Sequence, residues 1–548
     1  MNEIELKLKT SIKKAIQTTW DIVYEDDEIT IEIPREKEFG DYSTNIAMQL
    51  TKTLKQNPRV IAQSIIDNLD YKDAGIKNTE IAGPGFINFY LVTESLTQVI
   101  KNILTTEEKY GESNAGKKIK VNIEYVSVNP TGDIHVAHGR GAALGDAVSR
   151  LMKKAGYDVT REYYVNDGGN QIRNLGLSLF SRYCELFGIE EEMPADGYFA
   201  QDIVEIAQEF KSEFADKYLK MDKEEAINEL MEEGCKRELA KIKEDLELFR
   251  VDFDVWFSEK SLYENHKVEE VIEILRKKDM LYEQDGATWL KTSLYGDDKD
   301  RVIIKSSGLY TYVTPDIAYH NDKFERGFDT LVTILGADHH GYIQRMKAAM
   351  QTLGYDRDKV NIDIIQMVRL IKDGEEFKMS KRTGNAVALR ELIEDIGVDA
   401  TRYNFVSKAA NTHIDFDLDL ALSQTSDNPV FYVQYAHARM CSILRNASEI
   451  AIQEQYSLLS HEKETALLKQ INEFPSVIAD AANTRAPHKV CNYIQKTAQL
   501  FHSFYAECKV LDDANLALQQ ERLSLVKATQ ITLKNALEVI GVSAPEKM

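Results

Sequence analysis

The residues best suited by type to do chemistry lie in one short segment, 377–385, which reads FKMSKRTGN. Two lysines and an arginine surround a serine there, and the segment stands between apolar stretches of the chain. Lysine is a compact charge on a flexible stem, which suits contact with a polyphosphate. Two unit charges about 4 Å apart interact by about 4 kcal/mol at an effective dielectric near 20. Lys378 and Lys381 are therefore candidates for stabilising a departing pyrophosphate.

A second candidate phosphate site is the histidine pair His135 and His138, which follows a predicted strand and leads into a predicted helix. The free N–H groups and the dipole of a helix N-terminus favour an anion. Imidazoles at that place can donate hydrogen bonds to phosphate oxygens as charge builds up in a transition state. Taken alone, two histidines at this spacing could equally be surface residues. Together with the lysine segment, they indicate activation by ATP.

The glycines at the start of the same helix permit an alternative. Gly139, Gly141 and Gly145 approach a dinucleotide-binding fingerprint, with Asp158 and Glu162 about 20 residues further on. A nicotinamide-dependent oxidoreductase would fit this pattern, and hydride transfer gives no use for the histidine pair or the lysine segment. Glycines here would also allow a helix to pack closely on a sheet. We therefore rank the oxidoreductase second.

A polar turn, 336–342, follows a predicted apolar strand and reads GADHHGY. Its Asp338 and His340 might suggest a metal, but neighbouring residues rarely chelate one ion well and a third ligand is not evident. We expect no metal held by the protein itself. The position at the carboxyl end of a strand instead predicts nucleotide contacts in the crevice of an open parallel sheet.

The bulk composition limits the class of protein. A chain of 548 residues with 43% hydrophobic and 28% charged residues is typical of globular protein with two to four domains. The start of the chain does not resemble an export signal, and no apolar run approaches membrane-spanning length. Five scattered cysteines without a CxxC pair fit a reducing cytosol. A net charge of −22 argues, taken alone, against non-specific binding to nucleic acid but permits a local basic face.

The pattern of apolar residues predicts an α/β protein with three parts. Residues 1–112 form a small α/β unit, 113–424 a Rossmann-type domain with a parallel sheet and a helical insertion near 185–280, and 425–548 an all-α domain. The predicted strands of the middle domain are 120–128, 158–165, 301–304, 331–335 and 362–365.

These motifs together resemble one family. Asn129-Pro130-Thr131-Gly132 followed by HVAHGRG, with the lysine segment downstream, is similar to the class I aminoacyl-tRNA synthetases, and within them to the arginyl-tRNA synthetases. The similarity extends in order over nearly the whole chain, with Ala137 where the family usually has glycine. The other segments that carry it are 39–42, 83–86, 162–167, 308–312 with Asp316, 336–342 and 502–505.

The resemblance implies that the chain ligates L-arginine to tRNA(Arg) in the cytoplasm, using ATP with Mg²⁺ carried by the nucleotide. Activation of arginine would require bound tRNA, as is usual in this family. We expect a monomer without membrane or DNA partners. Two other classes are disfavoured. A non-catalytic tRNA-binding relative should have damaged motifs, and a cysteine-specific synthetase should carry a zinc-ligand cluster.

The resemblance and the side-chain chemistry assign the site residues. A guanidinium requires carboxylates and hydrogen-bond acceptors, and splayed RNA bases stack on aromatic or guanidinium planes. Ordinary packing and helix capping remain alternatives for Tyr312 and Asp316. The expected catalytic residues are His135, His138, Lys378 and Lys381. ATP is expected at Pro130, Thr131, Gly139, Gly141, Asp338, His340, Met379 and Ser380, arginine at Asn129, Asp158, Asn166, Tyr312 and Asp316, and tRNA at Tyr435, Arg439, Tyr505 and Met548.

Overall fold

The structure, a computed structural model, describes residues 3–26, 28–34, 39–339, 341–377, 387–447, 452–453 and 455–548. The first unit is a three-stranded antiparallel sheet in the order β1-β3-β2, covered by helices. Its buried side chains, among them Leu8, Ile12 and Phe89, form a core of their own. The elements are α1 (Glu3–Trp20), β1 (Tyr42–Thr44), α2 (Ile46–Leu54), α3 (Pro58–Ile66), β2 (Ile76–Ala82) and β3 (Phe86–Leu91), and α4 (Thr93–Thr106) leads out of the unit.

The middle domain is built on a five-stranded parallel sheet, which confirms the predicted Rossmann-type fold. The strand order is β11-β10-β4-β5-β6. The first strand in the sequence, β4, is therefore central, with β5 and β6 on one side and β10 and β11 on the other. Helix α5 is the first crossover, and its apolar residues pack on the sheet in the largest core. The elements are β4 (Lys120–Glu124), α5 (Val136–Lys154), β5 (Asp158–Val165), β6 (Val255–Ser258), β10 (Thr330–Gly336) and β11 (Val360–Ile365).

The first strand is shorter than predicted. The sequence pattern predicts a strand over 120–128, whereas β4 ends at Glu124. Val126 and Ser127 adopt positive φ angles of 68° and 43°, which a strand cannot continue. A positive φ is costly for a β-branched residue such as Val126, and such strain is concentrated at functional sites. The backbone therefore turns sharply where β4 reaches the edge of the sheet.

The helical insertion is confirmed in kind but not in extent. Its helices α6 (Gly169–Glu185), α7 (Gln201–Phe214), α8 (Lys217–Lys220) and α9 (Lys223–Leu248) pack around a separate core. The predicted range near 185–280 is wrong at both ends, since the helices start at Gly169 and the run Val255–Ser258 is the edge strand β6. An edge strand of four residues with one neighbour, β5, gives too weak a pattern to be recognised among charged helices.

The remaining elements of the middle domain surround the sheet. The predicted strand 301–304 exists, but it belongs to a separate antiparallel sheet of β7 (Leu281–Gln284), β8 (Ala287–Leu290) and β9 (Arg301–Ile304). A third sheet contains β12 (Val368–Lys372), β13 (Glu375–Glu376) and β14 (Ile414–Asp417). The helices are α10 (Lys260–Glu264), α11 (Lys267–Lys277), α12 (Val313–Glu325), α13 (Tyr342–Leu353), α14 (Leu389–Ile396), α15 (Val398–Val406) and α16 (Leu418–Leu422).

The C-terminal part consists of helices, as predicted. They are α17 (Pro429–Arg445), α18 (Glu462–Asn472), α19 (Phe474–Asn483), α20 (His488–Glu507) and α21 (Leu516–Val539). The bundle is joined to the middle domain through Arg402 of α15, whose buried guanidinium donates to the Ile540 carbonyl at 3.4 Å and also pairs with Asp146 of α5. It is joined to the first unit through Tyr42, whose hydroxyl donates to Glu473 at 3.2 Å. Within the part of the chain that the structure describes, no helix has the length and apolar character needed to cross a membrane.

Candidate active site

A cleft of about 980 Å³ opens at the carboxyl ends of the parallel strands. It lies between β4 and β10, where the strand order reverses direction, and this is the place where open α/β sheets bind ligands. Its walls come from the loop after β4, the first turn of α5, the first turn of α12 and the ends of β10 and β11. Tyr164 and Asn166 at the end of β5 also line it, so the cleft is formed by residues from five separate parts of the sequence.

The predicted histidine pair lies in this cleft. His135 precedes the first turn of α5 and His138 stands within it, and their rings stack with centroids 3.5 Å apart. Burial lowers the pKa of His135, and burial together with the neighbouring His135 lowers the pKa of His138 to about 3. Both imidazoles are neutral at physiological pH. His138 Nδ1 is buried and has no hydrogen-bond partner among the residues that the structure describes.

The chain that follows the predicted lysine segment is joined to the start of α5 by backbone hydrogen bonds. Lys378, Met379, Ser380 and Lys381 lie outside the described residues, as does His340. The chain after this segment forms an antiparallel bridge between His135 and Ala388. Val136 N–H donates to the Val387 carbonyl at 3.1 Å, and Leu389 N–H donates to the Ile134 carbonyl at 2.7 Å.

The glycines of α5 have two different roles. A Cβ atom on Gly145 would lie 2.2 Å from the Tyr125 ring, and one on Gly139 would lie 2.7 Å from Leu389. These two positions permit close packing, which is the alternative to a dinucleotide fingerprint. Gly141 instead lines the cleft, and a Cβ there would meet nothing closer than Ile365 at 3.9 Å. Two of the residues predicted to bind ATP, Gly139 and Pro130, are buried and do not line the cleft.

The rest of the predicted nucleotide set borders the cleft. Thr131 and Asp338 both line it, one from the loop after β4 and the other from the turn after β10. Ala137, at the position where the family usually has glycine, is exposed and lines the cleft as well. The ATP-binding roles of these residues stay predictions, and their positions are compatible with them.

An acidic pocket occupies the other half of the cleft. Asp316 lies in the first turn of α12 and Tyr312 immediately precedes that helix, so the four-residue spacing places both at one helix end, as predicted. Burial, together with the carboxylates of Glu124 and Glu259, raises the pKa of Asp316 to about 7, although Tyr342 donates a hydrogen bond to it. Tyr312 is 87% exposed at the rim. The pocket has an excess of carboxylates and is suited to a cation.

Of the other three residues expected at the amino-acid site, two line the cleft. Asn129 and Asn166 both line the cleft, and the Asn129 amide donates to Gln171. In the orientation that satisfies its neighbours, the Asn166 amide donates to Glu259 Oε2 at 3.1 Å. Asp158 is different. It is exposed and begins β5, one strand length or about 23 Å from the cleft end of the sheet. The structure does not bring Asp158 to the site, and its assignment was an error of placement along the strand.

Two acidic residues at the cleft were not predicted from the sequence. Glu124, the last residue of β4, points a nearly buried carboxylate into the cleft and pairs with the buried Lys323 at 2.6 Å. Glu259 faces the same pocket from beyond β6. Glu124 could have been predicted, because it is a carboxylate at the carboxyl end of an alternating strand in a βαβ unit, where open α/β sheets bind ligands.

Three of the residues predicted to contact tRNA lie on the C-terminal helices α17 and α20, and Met548 lies in the segment after α21. Tyr435 is 43% exposed, and the Arg439 guanidinium lies over the Tyr505 ring at 4.5 Å and the Tyr435 ring at 5.9 Å. Met548 is 56% exposed. The chain end runs along α17, because Arg445 donates to the Glu546 carbonyl at 3.1 Å. Three of the four residues therefore form one surface, and the fourth ends a segment that lies on the same helix.

Comparisons with known proteins agree with this geometry. The model of "tRNA synthetases class I (R), catalytic domain" matches residues 99–417, that of "Arginyl tRNA synthetase N terminal domain" matches 6–91, and that of "DALR anticodon binding domain" matches 433–548. The arginine–tRNA ligase of Bacillus cereus is 53% identical over 557 aligned residues, which cover 100% of both chains. That of Shouchella clausii is 52% identical, again over 100% of both chains.

Solved structures give the same result. The structure described as a putative arginyl-tRNA synthetase from Campylobacter jejuni superposes with a TM-score of 0.77 at 37% identity, covering 84% of this chain and 100% of that one. Thermus thermophilus arginyl-tRNA synthetase has a TM-score of 0.77 at 21% identity, covering 99% and 100%, which shows the shared fold. The catalytic-domain match covers more than half of the sequence, and the full-length relatives exceed 50% identity. This chain belongs to the arginyl-tRNA synthetase family of class I synthetases.

Proposed function

We propose that this chain ligates L-arginine to tRNA(Arg) with ATP through an arginyl-adenylate. One observation carries the proposal: an acidic pocket around Asp316 and a pair of neutral histidines open into the same cleft. The pocket suits a guanidinium, which is always charged, and the histidines suit phosphate oxygens. A substrate with a guanidinium at one end can then present its carboxylate to a nucleotide held at the other end.

The reaction has two steps. The arginine carboxylate attacks the α-phosphorus of ATP, and pyrophosphate leaves. A hydroxyl of the terminal adenosine of tRNA then attacks the carbonyl carbon of the adenylate, and AMP leaves. Neither step needs a nucleophile from the protein, so catalysis comes from positioning and from stabilising developing charge.

The nucleotide half of the cleft is assigned to the histidine pair and its surroundings. His135 and His138 carry N–H donors at the N-terminus of α5, where the helix dipole also favours the triphosphate. Lys378 and Lys381 would add charge from the segment that ends beside His135. Thr131, Gly141 and Asp338 would border the nucleotide. Mg²⁺ would enter with ATP, as part of the substrate.

The arginine half is assigned to the acidic pocket. Asp316 and Glu124 supply carboxylates for the guanidinium, and Tyr312 would cover it from the rim. Asn129, held by its contact with Gln171, would bind the α-amino group, with Asn166 beside it. A buried carboxylate is costly, and burial together with the neighbouring carboxylates raises the pKa of Asp316. An arginine guanidinium relieves this cost.

The remaining parts would hold the tRNA. The surface of Tyr435, Arg439 and Tyr505 offers stacking planes to unpaired anticodon bases, with Met548 nearby. We propose the domain limits 1–112, 113–424 and 425–548, which the family matches and the separate core of the first unit support. A cytoplasmic monomer is proposed, and five free, buried cysteines are in keeping with a reducing compartment.

Aminoacylation of purified tRNA with each of the twenty amino acids tests the function. We expect arginine alone to give efficient charging of tRNA(Arg) in the presence of ATP. Charging by another amino acid at a higher rate would refute the substrate assignment. Absence of charging by any amino acid, with nicotinamide binding instead, would support the oxidoreductase.

A further inference from the structure

The long helix of the insertion, α9, contacts two segments beside the nucleotide half of the cleft. One is the loop before His135, and the other is the start of α14, which follows the lysine segment. Its residues Lys241 and Asp245 are four positions apart, so they lie on one face of the helix. Ile242 and Leu246 beside them are buried in the core of the middle domain. This face of α9 is therefore fixed against the catalytic domain, although the rest of the helix belongs to the insertion.

Lys241 contacts the loop that leads to the histidines. Its Nζ lies 3.1 Å from Asp133 Oδ1, and Asp133 lines the cleft two residues before His135. The pKa of Lys241 is raised, because the carboxylates of Glu238 and Asp133 outweigh the effect of burial, which acts in the opposite direction. The ammonium group of Lys241 is thus held among carboxylates at the entrance to the histidine loop.

Asp245 contacts the helix that follows the lysine segment. Arg390 Nε donates to Asp245 Oδ1 at 2.6 Å, and Asp245 is buried. Arg390 stands in the first turn of α14, two residues after Ala388, which forms the β-bridge with His135. One helix thus holds both partners of that bridge from outside the cleft.

A buried carboxyl cluster lies behind Lys241. Glu238 is fully buried, and neither of its carboxyl oxygens has a hydrogen-bond partner among the described residues. Asp202 of α7 is also buried, and a Cβ atom on Gly132 would lie 3.5 Å from its Oδ2. The loop before His135 therefore passes directly over this cluster.

We infer that α9 is a positioning element for arginine activation: Lys241 holds the loop before His135 and Asp245 holds the helix after the lysine segment. The inference rests on the proposed function. Neither residue lines the cleft, so both act through the groups they hold and not on the substrate. A misplacement of about 1 Å in a catalytic group can lower a rate by about 100-fold. The carboxylates proposed to hold the guanidinium, Asp316 on α12 and Glu124 on β4, lie outside this loop, so the KM for arginine should change much less than kcat.

The test is ATP–pyrophosphate exchange with saturating tRNA, comparing the native chain with Lys241→Met, Lys241→Arg and Asp245→Asn. We expect Lys241→Met to lower kcat by about tenfold or more while the KM for arginine stays within about twofold. Lys241→Arg keeps the charge and should recover most of the rate. Lys236→Met is the matched control, since Lys236 lies on the same helix and, among the residues that the structure describes, pairs with the neighbouring Glu233 at the surface.

The outcomes separate the inference from the proposed function. If the native chain shows no arginine-dependent exchange, the proposed function fails. If the native chain is active and Lys241→Met behaves like Lys236→Met, the positioning role is overturned. The positioning role would also be overturned if Lys241→Met lowered the Tm and raised the KM for arginine as well as lowering kcat. A general loosening of the folded structure would then explain the result. A double-mutant cycle of Lys241→Met with Asp133→Asn should be non-additive.

Discussion

His135 and Ala388 face each other in an antiparallel β-bridge, although they come from opposite ends of the catalytic domain sequence. The bridge joins the start of the helix that carries the histidine pair to the chain that follows the lysine segment. Its two flanking hydrogen bonds, 3.1 and 2.7 Å long, come from the neighbouring backbone groups. Two parts of the chain that are remote in sequence, around His135 and Ala388, are thus held together beside the cleft.

Asp316 should make arginine binding depend on pH. Its pKa of about 7 means that the carboxyl is largely protonated in the empty pocket below this pH, and a neutral acid attracts a guanidinium less than a carboxylate does. The KM for arginine should therefore fall as the pH rises through about 7. Asp316→Asn should raise this KM by about 10- to 100-fold, because a hydrogen bond to a charged group is worth about 1.5–3 kcal/mol. The pH dependence should vanish in the variant, and its persistence would assign the titration to another group.

Lys381→Ala should slow arginine activation by at least about tenfold while leaving tRNA affinity unchanged. The reason is that its ammonium group is proposed to stabilise pyrophosphate as it departs, and one close charge pair is worth about 4 kcal/mol at moderate dielectric. Exchange kinetics measure the rate, and filter binding measures the affinity for tRNA. Lys408→Ala is the control, since Lys408 is exposed in the same domain. Equal rates in the two variants would remove the proposed role.

Arg439→Ala should raise the KM for tRNA without lowering kcat at saturating tRNA. The guanidinium stacks on Tyr505 and reaches Tyr435, and loss of one stacking plane costs about 1–3 kcal/mol per base. Lys534→Ala on α21 removes the same charge, and its partner Glu538 is on its own helix. A similar rise in KM for both variants would mean that charge alone, and not this surface, determines the affinity.

Gly145 and Gly141 should respond differently to alanine. Gly145→Ala places a methyl against the Tyr125 ring, and overpacking of this kind costs about 1–3 kcal/mol, more than the gain in helix propensity of about 1 kcal/mol. Thermal unfolding should show a lower Tm. Gly141→Ala has room and should keep or raise the Tm, yet its methyl enters the cleft and should raise the KM for ATP. Destabilisation of both variants alike would contradict the separation of packing from binding.

Glu238→Gln should stabilise the protein at alkaline pH. Burial raises the pKa of Glu238 from 4.5 to about 7. The nearby Lys241 lowers this pKa, and the carboxylates of Asp202, Asp133 and Glu209 raise it further. A raised carboxyl pKa gives stability that is present below the unfolded-state value and is lost as the pH rises through about 7. The variant should match the native chain near pH 5 and exceed it near pH 8 by up to about 3 kcal/mol.

Chemical denaturation at both pH values measures this difference. Glu232→Gln on the same helix is the control, because the Glu232 side chain is 57% exposed and water hydrates it in both states. A constant difference between native and Glu238→Gln across the pH range would show that Glu238 does not titrate as described.

Much of the fold could be predicted because its signals are local. The periodicity of α5, the alternation of β5 and the absence of glycine from the C-terminal helices each follow from neighbouring residues. The histidine pair was predicted for a physical reason that the structure retains, namely its place between a strand and a helix. The parallel sheet followed from the βαβ pattern.

The rest depends on contacts that no local pattern contains. Asp158 was misplaced because it begins the predicted strand 158–165, whereas ligands bind at the carboxyl ends of parallel strands. Glu124 was missed because its carboxylate is buried by Lys323, a residue of the distant α12. The strand β6 was missed because its pairing with β5, rather than its own sequence, makes it a strand.

The most direct test of the account is ATP–pyrophosphate exchange by the native chain, measured with and without tRNA(Arg) for arginine and for the other amino acids. We predict exchange that depends on arginine and on the presence of tRNA. Faster exchange with another amino acid, or no exchange under any of these conditions, would contradict it.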